Sequence, residues 1–326
     1  MTVTDIGTVV LTGPTRGLGR ETARALAGRP AGARPDLVLL GRGAALDDVV
    51  ADCRAAGATV VGVPVELGRL ASVAAAAGQV RDAVAAGAVR PLQAVVANAA
   101  LQTTDIRSAT ADGYETTFAV GHLAHVLLLR ELDGLLRDSV RVVLVGSGTH
   151  RGGRFQNRLG VPDPRWEDPE VLAAPGRVDP ARLTDVVTPA RRAYSTTKLA
   201  TLYHAHELQR RLGDRAAVAV FDPGLMPGTG LVRTAGPGVR LVWNTLMKGM
   251  RVLPGVSSPR RSGRALADLA VSPRWAGLRD GAYVEIDRVT APAPHAFDEA
   301  RERRLWEAGH VLVDRVVRAP GPRSPR

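Results

Sequence analysis

Tyr194 and Lys198 lie four residues apart in the stretch RRAYSTTKLATLYHAHEL. On a helix, positions i and i+4 share one face, so a phenol and an ammonium project into the same space. Free tyrosine titrates near ~10, too high for proton exchange at neutral pH. A cation held beside it favours the phenolate and lowers that value. The spacing therefore predicts a tuned general acid/base. Tyr-x-x-x-Lys is also common on solvated helix faces, so the pair gains meaning only from the scaffold that aims it.

A second chemical signal lies near the N-terminus, where an apolar run ends in Thr12-Gly13-Pro14-Thr15-Arg16-Gly17-Leu18-Gly19. Gly13 permits a tight turn, Gly17 lets the backbone approach a pyrophosphate, and Gly19 allows close helix packing. The following helix presents unpaired N–H groups to the phosphates. The next strand ends in Gly41-Arg42 rather than in an acid. A carboxylate there would bind the ribose 2′-hydroxyl of NAD, whereas an arginine suits the 2′-phosphate of NADP. Arg16 offers a second guanidinium to the same phosphate. The cofactor expected is NADP(H), with NAD(H) as the lesser alternative.

The elements that must hold these groups alternate along the chain. Strands are expected at Thr8–Leu11, Leu37–Leu40, Thr59–Val63, Leu92–Val96, Val140–Val145, Ala216–Phe221 and near Ala282–Ile286. Helices are expected over about Gly17–Ala27, Ala44–Ala56, Leu70–Ala86, Tyr114–Leu136, Arg191–Leu212 and Ala296–Val317. Continuous β-branched runs between helical patterns imply a doubly wound parallel sheet, a Rossmann-type α/β fold in a single domain. Ligands bind such sheets at the carboxyl ends of the strands. The domain is expected over residues 1–318, with a lid-like insertion at about 148–190 that holds six prolines, and a substrate-side region at about 222–271. The APGPRSPR tail, residues 319–326, has a disordered composition.

Composition narrows the class. The chain has 326 residues, 45% of them hydrophobic and 23% charged, as expected of a globular protein with no need of staples. Cys53 is the single cysteine, so no internal disulfide forms and the reducing cytoplasm is the expected compartment. No apolar run reaches the ~18 residues of a membrane span, and no signal peptide precedes the first strand. The net charge is +11, but the arginines are scattered and no aromatic residues interleave with them, so no specific nucleic-acid partner is expected. Lysine occurs only at Lys198 and Lys248, which makes Lys198 the more conspicuous.

With these motifs in place, the chain resembles the short-chain dehydrogenase/reductase family over essentially its whole length. The family's glycine motif matches Thr12 to Gly19, and its Asp-Leu after the third strand appears as Glu66-Leu67. Its Asn-Asn-Ala-Gly motif appears as Ala97-Asn98-Ala99-Ala100, its catalytic serine matches Ser147 in VLVGSGTH, and its Pro-Gly after the sixth strand matches Pro223-Gly224. The resemblance implies an NAD(P)-dependent enzyme acting on CH–OH or C=O. Tyr194 would exchange the proton, Lys198 would tune it and bind the nicotinamide ribose, and Ser147 would polarise the carbonyl. Glu66-Leu67, the Asn98-Ala99-Ala100 turn and Pro223-Gly224 would line the cofactor, with Thr229 at the nicotinamide carboxamide.

Two departures matter. The family often carries V-N-H-L-G-H before the fifth strand, and here Val120-Gly-His-Leu-Ala-His125 puts Gly121 at the asparagine that helps hold a relay water. That loss supports an alternative reading, a catalytically impaired nucleotide-binding sensor or scaffold on the same fold. The 46 residues between Ser147 and Tyr194 make the chain similar to the retinol dehydrogenase and protochlorophyllide reductase branch, which implies a bulky apolar carbonyl or alcohol substrate. Leu225 stands where protochlorophyllide reductases carry a cysteine, which argues against photochemical reduction of a tetrapyrrole.

Overall fold

The apolar runs assemble into one eight-stranded sheet in the order β3-β2-β1-β4-β5-β6-β7-β8. The strands are β1 (Thr8–Thr12), β2 (Asp36–Gly41), β3 (Val60–Pro64), β4 (Leu92–Ala97), β5 (Val140–Val145), β6 (Ala216–Asp222), β7 (Ala282–Glu285) and β8 (Arg288–Val289). This arrangement comes from a computed structural model of the chain, which describes residues 6–136, 140–158, 160–176, 185–226 and 256–318. Pairing is parallel from β3 through β7, and β8 returns antiparallel on β7. β8 is an addition to the expected strands: two residues after a tight turn carry too little pattern to read.

Helices cover both faces, because every residue of β1, β2 and β5 is buried and alternate side chains point opposite ways. Val10, Val38, Leu40, Val95 and Val142 join one core with α3 (Leu70–Ala85), α4 (Ala124–Glu131), α5 (Val187–Leu212) and the C-terminal helix. Val9, Leu11, Leu37, Leu39 and Val143 join the other with α1 (Gly17–Ala27), α2 (Ala44–Ala55) and α6 (Pro259–Val271). Each fully buried Val or Leu contributes roughly 1.5–3 kcal/mol, so the two cores fix the sheet as a rigid plate. α6 begins on Pro259 with Ser258 Oγ accepting the Arg261 N–H at 3.2 Å, and α7 (Glu299–Val317) begins on Asp298 in the same way. α6 packs directly on α1: a methyl group added at Gly263 would stand 2.5 Å from Glu21 Cβ.

The helix expected over Tyr114–Leu136 is not continuous. It enters through a turn at Thr116–Phe118, widens into a π-helical segment at Ala119–Leu123, and becomes regular only in α4. The described part of the insertion is packed down. Asp168 caps the short helix Pro169–Ala173 and pairs with Arg304 of α7 at 2.8 Å, and Trp166 stands edge-on to Tyr203 of α5 with ring centres 4.9 Å apart. Among the described residues, no helix is long and apolar enough to cross a membrane.

Candidate active site

The strand order reverses between β1 and β4, and the predicted site residues follow the carboxyl ends of the strands around that point. After β1, Gly13 and Gly17 adopt φ of +66° and +52°, which only glycine takes without strain. A Cβ at Gly19 would lie 2.1 Å from the Gly13 carbonyl, whereas one at Gly17 would meet nothing within 4 Å. Gly19 thus closes the turn and Gly17 leaves an open backbone face. No side chain caps the first turn of α1 and no acid sits in it, so its N–H groups remain available to an anion. The cradle fits a pyrophosphate. Leu18 is buried beneath it, and Thr15 lies against Gly41 at the end of β2.

Thr12 and Asn98 tie this turn to the end of β4. Thr12 Oγ1 accepts the Asn98 and Ala99 N–H groups at 3.0 and 2.9 Å, and the Asn98 amide donates to the carbonyls of Thr12 and Gly13 at 2.8 and 3.2 Å. The side chain of Asn98 therefore shapes the floor, while Ala99 and Ala100 remain half-buried along it. Arg42 and Glu66, read separately from the sequence, form an ion pair between exposed side chains. Glu66 also accepts the Gly68 N–H at 3.2 Å, Leu67 is half-buried beside it, and Arg16 is exposed.

The groups expected to transfer the proton stand on α5 and just after β5. Lys198 is buried, its Nζ donates to the Val145 carbonyl at 2.6 Å, and it sits 5.7 Å from the centre of the Tyr194 ring. Ser147 follows β5, and its hydroxyl accepts the Thr149 N–H at 3.3 Å. The expectation that Lys198 lowers the Tyr194 pKa is not met. Burial pushes Tyr194 up to about 12, the nearby Asp222 carboxylate adds to the rise, and a hydrogen bond to Ser147 opposes it. Burial brings Lys198 down to about 8, against the pull of Asp222. The cost of burying charge is the largest cause of both shifts.

Asp222, at the end of β6, is the group that sequence reasoning missed. It is buried, accepts the Tyr283 hydroxyl and the Gly224 N–H (2.9 Å), and burial raises its pKa. An acid closing the otherwise apolar run AAVAVF was the available signal. Pro223 and Gly224 follow, with Gly224 at φ +71° and the Pro223 carbonyl held by Ser262 Oγ of α6 at 2.6 Å. Thr229 lies outside the described residues.

Gly121 has a steric explanation. Its Cα faces α5 so closely that a Cβ would stand 2.9 Å from Thr197 Cγ2, and its carbonyl accepts from His125 Nδ1 at 3.4 Å. His122 points away from the site into a buried contact with Phe118 and His204. Among the described residues no cluster of three His, Cys, Asp or Glu side chains is arranged to hold a metal ion.

A glycine cradle after β1, an arginine after β2 and a Ser-Tyr-Lys set beside β5 define an oxidoreductase of the nucleotide-binding α/β class. The profile of the short chain dehydrogenase family matches residues 7–157. The chain is 32% identical over 319 residues to the polyprenol dehydrogenase of Mus musculus, covering 93% of this chain and 83% of that one. It is 29% identical over 330 residues to protochlorophyllide reductase B of Hordeum vulgare, covering 94% and 78%. A blue fluorescent protein from a metagenomic library, solved in complex with NADPH, shares the fold with a TM-score of 0.60 at 21% identity, over 86% of this chain and 96% of that one. The chain belongs to the short-chain dehydrogenase/reductase family, in the branch that includes those two relatives, and is an enzyme of that family.

Proposed function

We propose that the protein reduces a carbonyl on a bulky apolar substrate with NADPH, or oxidises the matching alcohol, using Tyr194 as general acid/base. The observation that carries this reading is the set of Ser147, Tyr194 and Lys198 beside the end of β5, with Lys198 anchored on Val145 and its Nζ 5.7 Å from the centre of the Tyr194 ring. The Gly13–Gly19 cradle and the N-terminus of α1 would hold the pyrophosphate, and Arg42 with Arg16 the 2′-phosphate. The solved relative bound to NADPH supports the same cofactor. The names of the polyprenol and protochlorophyllide relatives support a large apolar substrate.

When bound, the nicotinamide supplies the hydride. Ser147 donates a hydrogen bond to the carbonyl oxygen and fixes its direction. Tyr194 then gives that oxygen its proton. Burial raises the pKa of the Tyr194 hydroxyl and so holds it protonated at neutral pH. The protonated hydroxyl is the form that a reduction requires, and the phenolate the form that an oxidation requires. Lys198 keeps a positive charge near the forming centre, supported by Asp222.

The test is NADPH consumption against aldehydes and ketones of graded size, with wild type and Tyr194→Phe. The variant is expected to lose at least ~10²-fold in kcat while NADPH binds within about twofold of wild type. Wild-type turnover by Tyr194→Phe would sink the mechanism. Failure of the wild type on every carbonyl, with NADPH still bound, would favour a nucleotide-binding sensor or scaffold.

A further inference from the structure

Three residues beyond Ser147, in the turn Gly148–Arg151, His150 is completely buried although no step above uses it. Its Nε2 accepts the Ala293 backbone N–H at 3.2 Å, and its Nδ1 lies 2.7 Å from the Ser147 carbonyl oxygen. A backbone N–H only donates and a carbonyl only accepts. The bonding partners therefore fix the tautomer: Nδ1 carries the proton and donates to Ser147. The surrounding bonds leave the ring no second position. The His150 carbonyl accepts from His295 Nε2 at 2.8 Å, and the His295 carbonyl accepts the Tyr203 hydroxyl of α5 at 2.7 Å. Arg151 donates to the Ala291 carbonyl at 2.9 Å, and the His150 ring stands edge-on to Tyr283 with centres 5.2 Å apart. The segment 291–295 is thus stitched to the turn after β5 on one side and to α5 on the other.

We propose that His150 is a positioning residue for Ser147: its Nδ1–H holds the serine carbonyl, and through it the φ/ψ that aims the hydroxyl at Tyr194 and the substrate oxygen. The Ser147 carbonyl also accepts the His150 backbone N–H at 3.3 Å, a longer bond than the one from Nδ1. Ser147 Oγ takes one N–H from Thr149 at 3.3 Å, and Gln156 Nε2 reaches the Gly148 carbonyl at 2.6 Å. Neither bond holds the Ser147 peptide itself. Small displacements of a reacting group cost large factors in rate, so the imidazole acts on turnover without touching substrate.

The proposal rests on the reading of Ser147 as the carbonyl-holding group, and the experiment separates the two. Kinetics of the full chain are compared for His150→Gln, His150→Asn, Ser147→Ala and the double variant His150→Gln/Ser147→Ala. Glutamine reaches the Ala293 N–H but places no side-chain donor at the Ser147 carbonyl, which keeps only the backbone N–H of residue 150, whereas the asparagine amide nitrogen takes the place of Nδ1. His150→Gln is expected to lose about tenfold or more in kcat with KM for NADPH within about twofold, and His150→Asn to recover most of that loss. In the Ser147→Ala background, His150→Gln is expected to add less than about twofold. Equal losses in the two His150 variants, or an undiminished effect of His150→Gln on Ser147→Ala, overturn the proposal. If His150→Gln does not fold, a His150→Asn enzyme as slow as Ser147→Ala overturns it and one near wild type supports it. Wild-type turnover by Ser147→Ala instead removes the reading beneath it. Imidazole ¹⁵N NMR of the wild type gives a readout independent of turnover: a proton on Nδ1 of His150 supports the assignment, and a proton on Nε2 refutes it.

Discussion

Replacing Gly121 with asparagine, the residue that the family often carries, is expected to harm this protein rather than repair it. An ideal Cβ at position 121 stands 2.9 Å from Thr197 Cγ2, against the ~3.5–4.0 Å of an ordinary carbon contact. Both positions lie inside packed helices, so the missing ~0.6 Å must come from a backbone shift. Overpacking of this kind costs roughly 1–3 kcal/mol. Replacing a helical glycine returns about 0.3–0.5 kcal/mol. The net expectation for Gly121→Asn is a loss of about 1–2 kcal/mol, together with a displacement of Thr197 that is passed to its neighbour Lys198. Thr197→Ser removes the offending methyl and keeps the hydroxyl bond to the Ala193 carbonyl, 2.8 Å long. Alone it costs about 0.8 kcal/mol, the worth of one buried methyl. Combined with Gly121→Asn, it is expected to recover about 1 kcal/mol relative to the sum of the single changes. Urea melts of the four proteins measure the cycle, with kcat recorded for each. Strict additivity, or a Gly121→Asn protein as stable as wild type, would refute the steric account.

Arg42→Ala is expected to leave stability nearly unchanged, since its pairing with Glu66 is exposed, and to weaken NADPH by about tenfold or more with little effect on NADH. Equal losses for the two nucleotides in a binding titration would refute the 2′-phosphate assignment. Burial lowers His125 and His150 to about 4 and His204 to about 3, so each folds neutral. Their contribution is complete above the unfolded value near ~6.5 and is lost as pH falls through that value toward the folded ones. Urea midpoints are therefore expected to fall between about pH 6.5 and 4 by the equivalent of a few kcal/mol, and a flat profile would contradict it. Cys53 is buried and burial pushes its thiol up to about 11, so alkylation of the native protein is expected to be negligible and to appear only on unfolding.

Much of the fold was legible because buried parallel strands are written as unbroken apolar runs. TVVL, LVLL and VRVVLV each became a fully buried strand within a residue of the expected limits. The glycine turn was legible for a similar reason: the two glycines with positive φ and the one in backbone contact each exclude other residues. What escaped depends on distant partners. The π-helical segment at Ala119–Leu123 has an ordinary helical pattern and widens only in its tertiary setting, where Gly121 packs on Thr197. The Arg42–Glu66 pair needs β2 and β3 side by side before either charge finds the other. The direction of the Tyr194 shift was misjudged because i,i+4 spacing reports the proximity of Lys198 and says nothing of the burial that both groups undergo. The described part of the proline-rich insertion is moored by Asp168 to Arg304, some 136 residues away in sequence, a partner that composition does not name.

The contact between α1 and α6 carries a consequence for how mutations in this enzyme would be interpreted. Gly263 has no side chain, and the backbone of Glu21 and Thr22 fills the place where one would be, with the Glu21 carbonyl carbon 2.8 Å from an ideal Cβ. The helix that opens the phosphate cradle and the helix that holds Pro223 through Ser262 are therefore a single mechanical part. In a saturation screen scored by nucleotide retention, substitutions at Gly263 would group with those at Gly13 and Gly19, although position 263 touches no phosphate. A map of sensitive positions would then draw the nucleotide site larger than its contact surface, with α6 as its outer rim.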